Sequence, residues 1–461
     1  MHKIKFFFMI LTLLFSGMSF SKNIELLVTV KKINVNGKEV MVNTVVQPDG
    51  TWGYYGVEGD QFNVTVKNKL KYPTVLHWHG MLLPNNQDGT ELTQPFIQPG
   101  ESYHYSYKLK QSGTFWMHSH YGFQEQTYVE APLIIYPKGY NPNNDIVIMF
   151  QDFSFRSPEK IMEYLKKDAG SMGDMKMDMS NVKRTDKKEA EPDLNDVDYD
   201  AFLTNYHDVH NPVTKKVVPG EVYRLRFING SAASNFWINL GSLIGTAVAV
   251  DGNKIEPLKG NLFQLSIAQR MDVELKIPKS GGVFQILGQV EGKNNQTGII
   301  LYTGDNKVTN ISERSLHNSQ EFNYQQSQKI HAAGKELTDF NSIETVNLSL
   351  SGDMKKYMWQ INGQSWPNVE PINLIKSKGY TLHIANNTDM SHPIHIHGHV
   401  FKIIAIDGKP IINGAIRDTV YVAPNSSVSV VMKANASGKW FIHCHMLYHM
   451  RSGMMTFIQI K

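Results

Sequence analysis

WFIHCHMLYHMRSGMM, from Trp440 to Met455, holds the only cysteine of a 461-residue chain. Cys444 stands between His443 and His445, His449 follows four residues later, and the run closes on Gly453-Met454-Met455. Thiolate, imidazole and thioether form a soft donor set, which suits copper better than magnesium, calcium or manganese. WFIHCH reads as a strand, and a strand has a side-chain period of two. Cys444 then points one way and His443 with His445 the other. Such a strand can hold two metal centres back to back, joined by the shortest covalent path. A lone buried cysteine is common, but three histidines crowded around one are not.

The length prior of about 100–200 residues per domain allows two to four domains. Aromatic and β-branched residues are plentiful and long helical patterns scarce, so the chain reads as mostly strands. A net charge of +4, with Lys and Glu scattered, gives no argument for nucleic acid. Lys3 and Lys5 precede the apolar run Phe6 to Phe15, and Ser19-Phe20-Ser21 offers small residues before Lys22. Residues 1–21 therefore read as a signal peptide, since a membrane span needs about 20 apolar residues. No twin-arginine pair precedes the run, so the expectation is Sec-type export to the periplasm or beyond, with no membrane anchor in the mature chain. An unpaired thiol in an exported chain asks for an explanation, and a metal ligand is a good one.

Outward from that stretch, three strand-rich parts are expected: 22–140, 141–305 and 346–461. A Met-rich insertion, about 157–200, interrupts the second part, and a polar linker, 306–345, precedes the third. The first part carries His77-Trp78-His79-Gly80 and His118-Ser119-His120; the third carries HPIHIHG at His392 to Gly398 and the opening stretch. The second has no HxH pair. GTFWMHSH at Gly113 to His120 echoes GKWFIHCH at Gly438 to His445, with Ser119 where Cys444 stands. An ancestral repeat is the simplest account, with similar β-sandwich domains facing each other. Only the third domain should then host a cysteine-bound metal.

The four HxH pairs supply His77, His79, His118, His120, His395, His397, His443 and His445, more than a mononuclear zinc site uses. His392, Cys444, His449 and Met454 form a separate set: two imidazoles, a thiolate and a weak axial thioether, the blue-copper combination. In order and spacing, HWHG, HSH, HPIHIHG and HCHMLYHMRSGM resemble the motifs of the multicopper oxidases. The longer runs HWHGMLLPNNQDG, QSGTFWMHSHYGFQEQ and GEVYRLRFINGSA are most similar to the copper-resistance protein A branch of bacterial periplasmic enzymes. The resemblance covers nearly the whole mature chain apart from the insertion and the linker. It implies an all-β protein of three cupredoxin-like Greek-key domains holding four coppers. By motif, type 1 copper falls to His392, Cys444, His449 and Met454. Type 2 falls to His77 and His395, and the type 3 pair to His79, His118, His120, His397, His443 and His445. It also implies single electrons entering at type 1, passing along the Cys-His strand, and reducing O2 to water. The donor is read as Cu(I), with a laccase-like oxidation of phenols or aromatic amines as the alternative and a periplasmic copper-donor protein as a candidate partner. A non-catalytic copper-sequestering protein is the rival from another class, but storage needs no thiolate relay.

Asp88, nine residues after His79, matches an acidic position that hands protons to oxygen in related enzymes; equally, it is the Asp of an Asp-Gly turn. Asp389 and Met390 lie just before His392, near where a donor would approach. Met354 and Met358 sit in GDMKKYMW, where core filling is the alternative. Met172, Met175, Met177 and Met179 lie in the polar MGDMKMDM, so they are not core; thioethers prefer Cu(I), and a copper-gathering loop is the reading, against a merely disordered one. Met450 stands where some relatives carry an acid after the third histidine. His104, His207, His210, His317, His331, His383 and His399 lie outside the motifs and read as solvated or structural.

Overall fold

In the strand Gln61–Asn68, QFNVTVKN, buried and less buried residues alternate along the whole length, as they do in Ser427–Lys433, SVSVVMK. That is the period of a strand with one face on a core. His77–His79 and His392–Ile396 break the pattern: every residue is buried. These strands cover their own sandwich with one face and meet a neighbouring domain with the other. The computed structural model describes residues 23–171, 194–306, 308, 310–334 and 342–461. The signal-peptide reading and Met172, Met175, Met177 and Met179 lie outside the described residues.

Among the described residues the strands form six sheets, falling along the chain into three consecutive pairs. Each pair contains two parallel contacts, one in each of its sheets. Ile24–Val35 runs parallel to Gln61–Asn68, Asp145–Phe153 to Val222–Asn229, and Ser342–Asp353 to Gly379–Asn386. The echo between first and third parts holds down to register: His77 faces His118 across one sheet, and His395 faces His443 across another. One hydrophobic cluster runs through both of these parts, from Leu26 to Ile460, while the second part has a core of its own around Phe227, Ile238 and Ile286. The histidine-bearing strands thus sit at a packed seam. No helix among the described residues is long and apolar enough to cross a membrane.

The insertion leaves the second part between Asp145–Phe153 and Ala201–Thr204, two strands that pair antiparallel. It opens with a helix, Pro158–Ser171. Ile161, Met162 and Leu165 of that helix are buried in the core shared by the first and third parts, and Ser452 Oγ donates to Met162 Sδ at 3.4 Å. The polar stretch expected as a linker is mostly exposed where it is described, but a few of its residues pack against both neighbouring parts. Phe322 meets Trp237 on one side and Tyr421 on the other, and Ala423 N donates to Tyr324 Oη at 2.8 Å. Leu316 is exposed, but Phe322 and Tyr324 face inward at the seam between the second and third parts. Averaging over its many polar residues hides them.

Candidate metal centre

Strand Gly438–Cys444 presents His443 to one side and Cys444 to the other. On the cysteine side, Sγ lies 3.6 Å from His392 Nδ1 and 3.9 Å from His449 Nδ1, and the two ring nitrogens are 3.2 Å apart. His392 comes from His392–Ile396 and His449 from the short helix Leu447–Arg451. Met454 is fully buried, and its main chain ties the loop: Cys444 N donates to its carbonyl and its own N donates to His449 O, both at 3.0 Å. The far nitrogens are held too. His392 Nε2 meets Thr388 Oγ1 at 2.7 Å; His449 Nε2 meets Asp196 Oδ2 at 3.0 Å, and that carboxylate also accepts from Tyr357 Oη at 2.6 Å. Trp359 stacks on the His449 ring with centroids 3.9 Å apart. Burial pushes the Cys444 thiol well up and the His392 ring well down.

On the other side the eight HxH histidines converge, all buried. Rings from the first and third parts stack in pairs, His77 on His397 at 3.8 Å and His79 on His395 at 3.7 Å. Glycine makes the approach possible. Gly80 and Gly398, which end the two HxHG motifs, both have left-handed backbone, and a Cβ on Gly398 would stand 2.1 Å from Trp440.

Most of the outward nitrogens lie beside an oxygen. His77 Nδ1 donates to Asp88 O, His395 Nδ1 to Asp418 O and His443 Nδ1 to Cys444 O, each at 2.9 Å. His397 Nδ1 lies 3.0 Å from Asp88 Oδ2 and His118 Nδ1 3.0 Å from Glu125 Oε2, with His445 Nδ1 3.5 Å from Glu125 Oε1. His79 is turned the other way, with Nε2 3.1 Å from Asp418 Oδ1.

This pinning leaves lone pairs pointing inward. His397 Nε2 and His443 Nε2 are 3.0 Å apart, His445 Nε2 and His118 Nε2 3.2 Å, and His79 Nδ1 and His118 Nε2 3.4 Å. His77 Nε2, His120 Nε2 and His395 Nε2 are buried with no partner. Burial first, and neighbouring histidines after it, hold His79, His118, His120, His395, His397 and His445 well below the usual imidazole range. Burial brings His443 down to about 4. Neutral imidazoles with opposed lone pairs at hydrogen-bond distance repel unless a cation lies between them. Donor atoms of His120, His397 and His443, of His77, His79 and His118, and of His392, Cys444 and His449 each fall within 4.8 Å of one another. Imidazole clusters beside a thiolate with two imidazoles fit copper, so the residues present suit the cofactor that their motifs imply. Outer partners of this kind orient metal ligands.

Asp389 is exposed, its carboxylate accepting from Asn425 Nδ2, and Met390 beside it is buried. Met354 is exposed. In GDMKKYMW it is Tyr357 and Trp359, not the methionines, that flank His449. His399 is buried against Trp440, with Nδ1 on His397 O and no partner at Nε2. Sequence reasoning missed Glu125, Asp196 and Asp418. Met450, beside His449, is no acid, and the carboxylate on the outer side of His118 and His445 comes instead from GFQEQ in the first part.

Family models described as multicopper oxidase match residues 55–139, 144–305 and 339–461. The chain is 31% identical to multicopper oxidase MmcO of Mycobacterium tuberculosis over 86% of its own length and 79% of that protein. It is 25% identical to copper resistance protein A of Escherichia coli, covering 93% and 91%. Its fold matches the multicopper oxidase of Campylobacter jejuni, a metallo-oxidase, with a TM-score of 0.69 at 21% identity over 95% and 91%. It also matches the multicopper oxidase of Pseudomonas thermotolerans, with 0.70 at 22% over 95% and 99%. By sequence along most of its length, and with the histidine and cysteine clusters at their seam, the chain belongs to the multicopper oxidase family, oxidoreductases that use oxygen.

Proposed function

We propose that this chain is an exported copper-tolerance enzyme that couples one-electron oxidation of Cu(I) to four-electron reduction of O2 to water. The observation that carries the reading is the strand Gly438–Cys444, whose two sides serve two donor clusters of different chemistry. His392, Cys444, His449 and Met454 would hold type 1 copper. His77 and His395, with unpartnered Nε2 atoms, would hold type 2; His79, His118, His445 and His120, His397, His443 would hold the type 3 pair, four coppers in all. Bound there, copper supplies one-electron redox chemistry at the cysteine and O2 binding and reduction at the histidines.

The chain's own residues do the rest. Cys444 joins the two sites through its backbone, and the His443 Nδ1 bond to Cys444 O adds a second short link between them. Asp88, buried, with Oδ2 3.0 Å from His397 Nδ1 and Oδ1 3.4 Å from His77 Nδ1, is our reading of the group that hands protons inward. Asp196 puts a carboxylate on the outer edge of His449, which favours a cationic donor over a neutral phenol. It lies near the end of the insertion, in the same insertion as Met172, Met175, Met177 and Met179. An exported oxidase of Cu(I) would work in the periplasm, with a copper-donor protein as its natural supplier.

O2 uptake by the purified, copper-loaded protein, with Cu(I) and a phenol offered as competing donors, tests this. Cu(I) is expected to drive uptake and to suppress phenol turnover. Faster uptake with the phenol would make the enzyme a laccase, and no uptake with either donor would leave a copper-binding protein without turnover.

A further inference from the structure

The second domain supplies none of the proposed copper ligands, yet one of its side chains reaches the wall of the histidine cluster. Arg270, fully buried, opens the strand Arg270–Lys276. Its Nε donates to Thr114 O in the first domain at 3.2 Å. Its Nη1 donates to Ala268 O at 2.9 Å and to Asp418 Oδ1, in the third domain, at 2.8 Å, and its Nη2 donates to Asp418 Oδ2. Asp251, which Arg417 also binds, holds Arg270 from behind. One guanidinium therefore touches all three domains.

Asp418 passes that hold on to the cluster. Its Oδ1 accepts from His79 Nε2 at 3.1 Å and from Thr419 Oγ1 at 2.9 Å, and its carbonyl accepts from His395 Nδ1 at 2.9 Å. This is what turns His79 round, so that it faces the cluster with Nδ1 while His118, His397 and His445 face it with Nε2. The loop bearing His79 is shaped to the pair: a Cβ on Gly80 would lie 2.5 Å from Arg270 Nη2 and 2.6 Å from Asp418 Oδ2.

We propose that Arg270 is a positioning residue for the copper cluster, contributed by the domain that binds no copper. It fixes Asp418 as a bidentate carboxylate, and Asp418 selects which nitrogens of His79 and His395 face the metal. A lysine cannot replace it, because a point charge does not hold both carboxylate oxygens in one plane. The inference rests on the copper-cluster reading above. Arg226 is a natural control. It is equally buried, pairs with Asp145 at 2.6 Å and Asp272 at 2.9 Å, and donates to Thr114 Oγ1 across the same domain seam, but its partners hold no histidine.

The test compares full-length wild type, Arg270→Lys and Arg226→Lys, with Asp418→Asn as a second variant should Arg270→Lys fail to fold. Copper per chain, the blue type 1 band, the near-ultraviolet type 3 band, the type 2 spin signal and metal-free Tm are measured for each. Arg270→Lys should keep the blue band but lose the type 3 band. Its cluster copper should be about 10–100-fold weaker against a chelator, as for other outer partners of metal ligands. Arg226→Lys should lose Tm and keep every copper signal. If Arg270→Lys, or Asp418→Asn in its place, retains full copper and an intact type 3 band and loses only Tm, Arg270 is a structural ion pair and the proposal falls. A wild type that shows no type 3 copper would instead overturn the cluster reading itself.

Discussion

Asp88 serves two structures at once. Its N–H closes the turn onto Asn85 O at 3.1 Å, and its side chain reaches His397, 309 residues away, at 3.0 Å. Asparagine keeps the turn and can still accept from His397 Nδ1, so Asp88→Asn should fold and load copper normally. Donor reduction of type 1 should be unchanged, while reoxidation by O2 slows about 10²–10⁴-fold if Asp88 delivers protons. Rapid mixing of the reduced variant with O2, following return of the blue band, separates the two steps; wild-type reoxidation would leave Asp88 a turn residue only. The histidines were legible in the sequence because each pair is a local signal, two residues apart on a strand. Asp418 was not, because it reaches His79 across 339 residues and stands in a run, IRDTV, with no metal motif of its own. Asp196 escaped for the same reason, 253 residues from His449.

Strands that alternate were readable one by one, and so was the repeat, because GTFWMHSH and GKWFIHCH keep their spacing from Gly to His. The insertion was legible only in part. Its methionines stand out by composition, but a helix whose Ile161, Met162 and Leu165 enter another domain's core carries no local mark of that destination. Replacing Met172, Met175, Met177 and Met179 together by serine should raise KM for Cu(I) and leave phenol oxidation almost unchanged, since soft thioethers matter only to a Cu(I) donor. Steady-state kinetics with the two donors checks this; an equal loss for both, or none for either, would deny the segment a copper-gathering role.

Over the whole molecule, the cost of building a metal centre from buried rings should show in the metal-free protein. The folded chain keeps nine histidines (His79, His118, His120, His392, His395, His397, His399, His443 and His445) below their usual range. Below about pH 6.5 the unfolded chain binds protons that the folded chain refuses, so each ring removes up to about 1.4 kcal/mol per pH unit. Burial raises Glu91, Glu125, Glu130, Asp152, Glu291 and Asp418, which acts in the opposite sense, but these acids are fewer. Metal-free Tm should therefore be higher at pH 7 than at pH 5; a Tm that rises on acidification would contradict the burial argument. The claim on which the rest depends is that Cys444 serves one copper while its neighbours on the same strand serve others. Cys444→Ser tests it through copper content and the visible spectrum together: the account predicts loss of the blue band and of all turnover, with the eight-histidine cluster still filled. A serine variant that stays blue and still consumes O2 would contradict it.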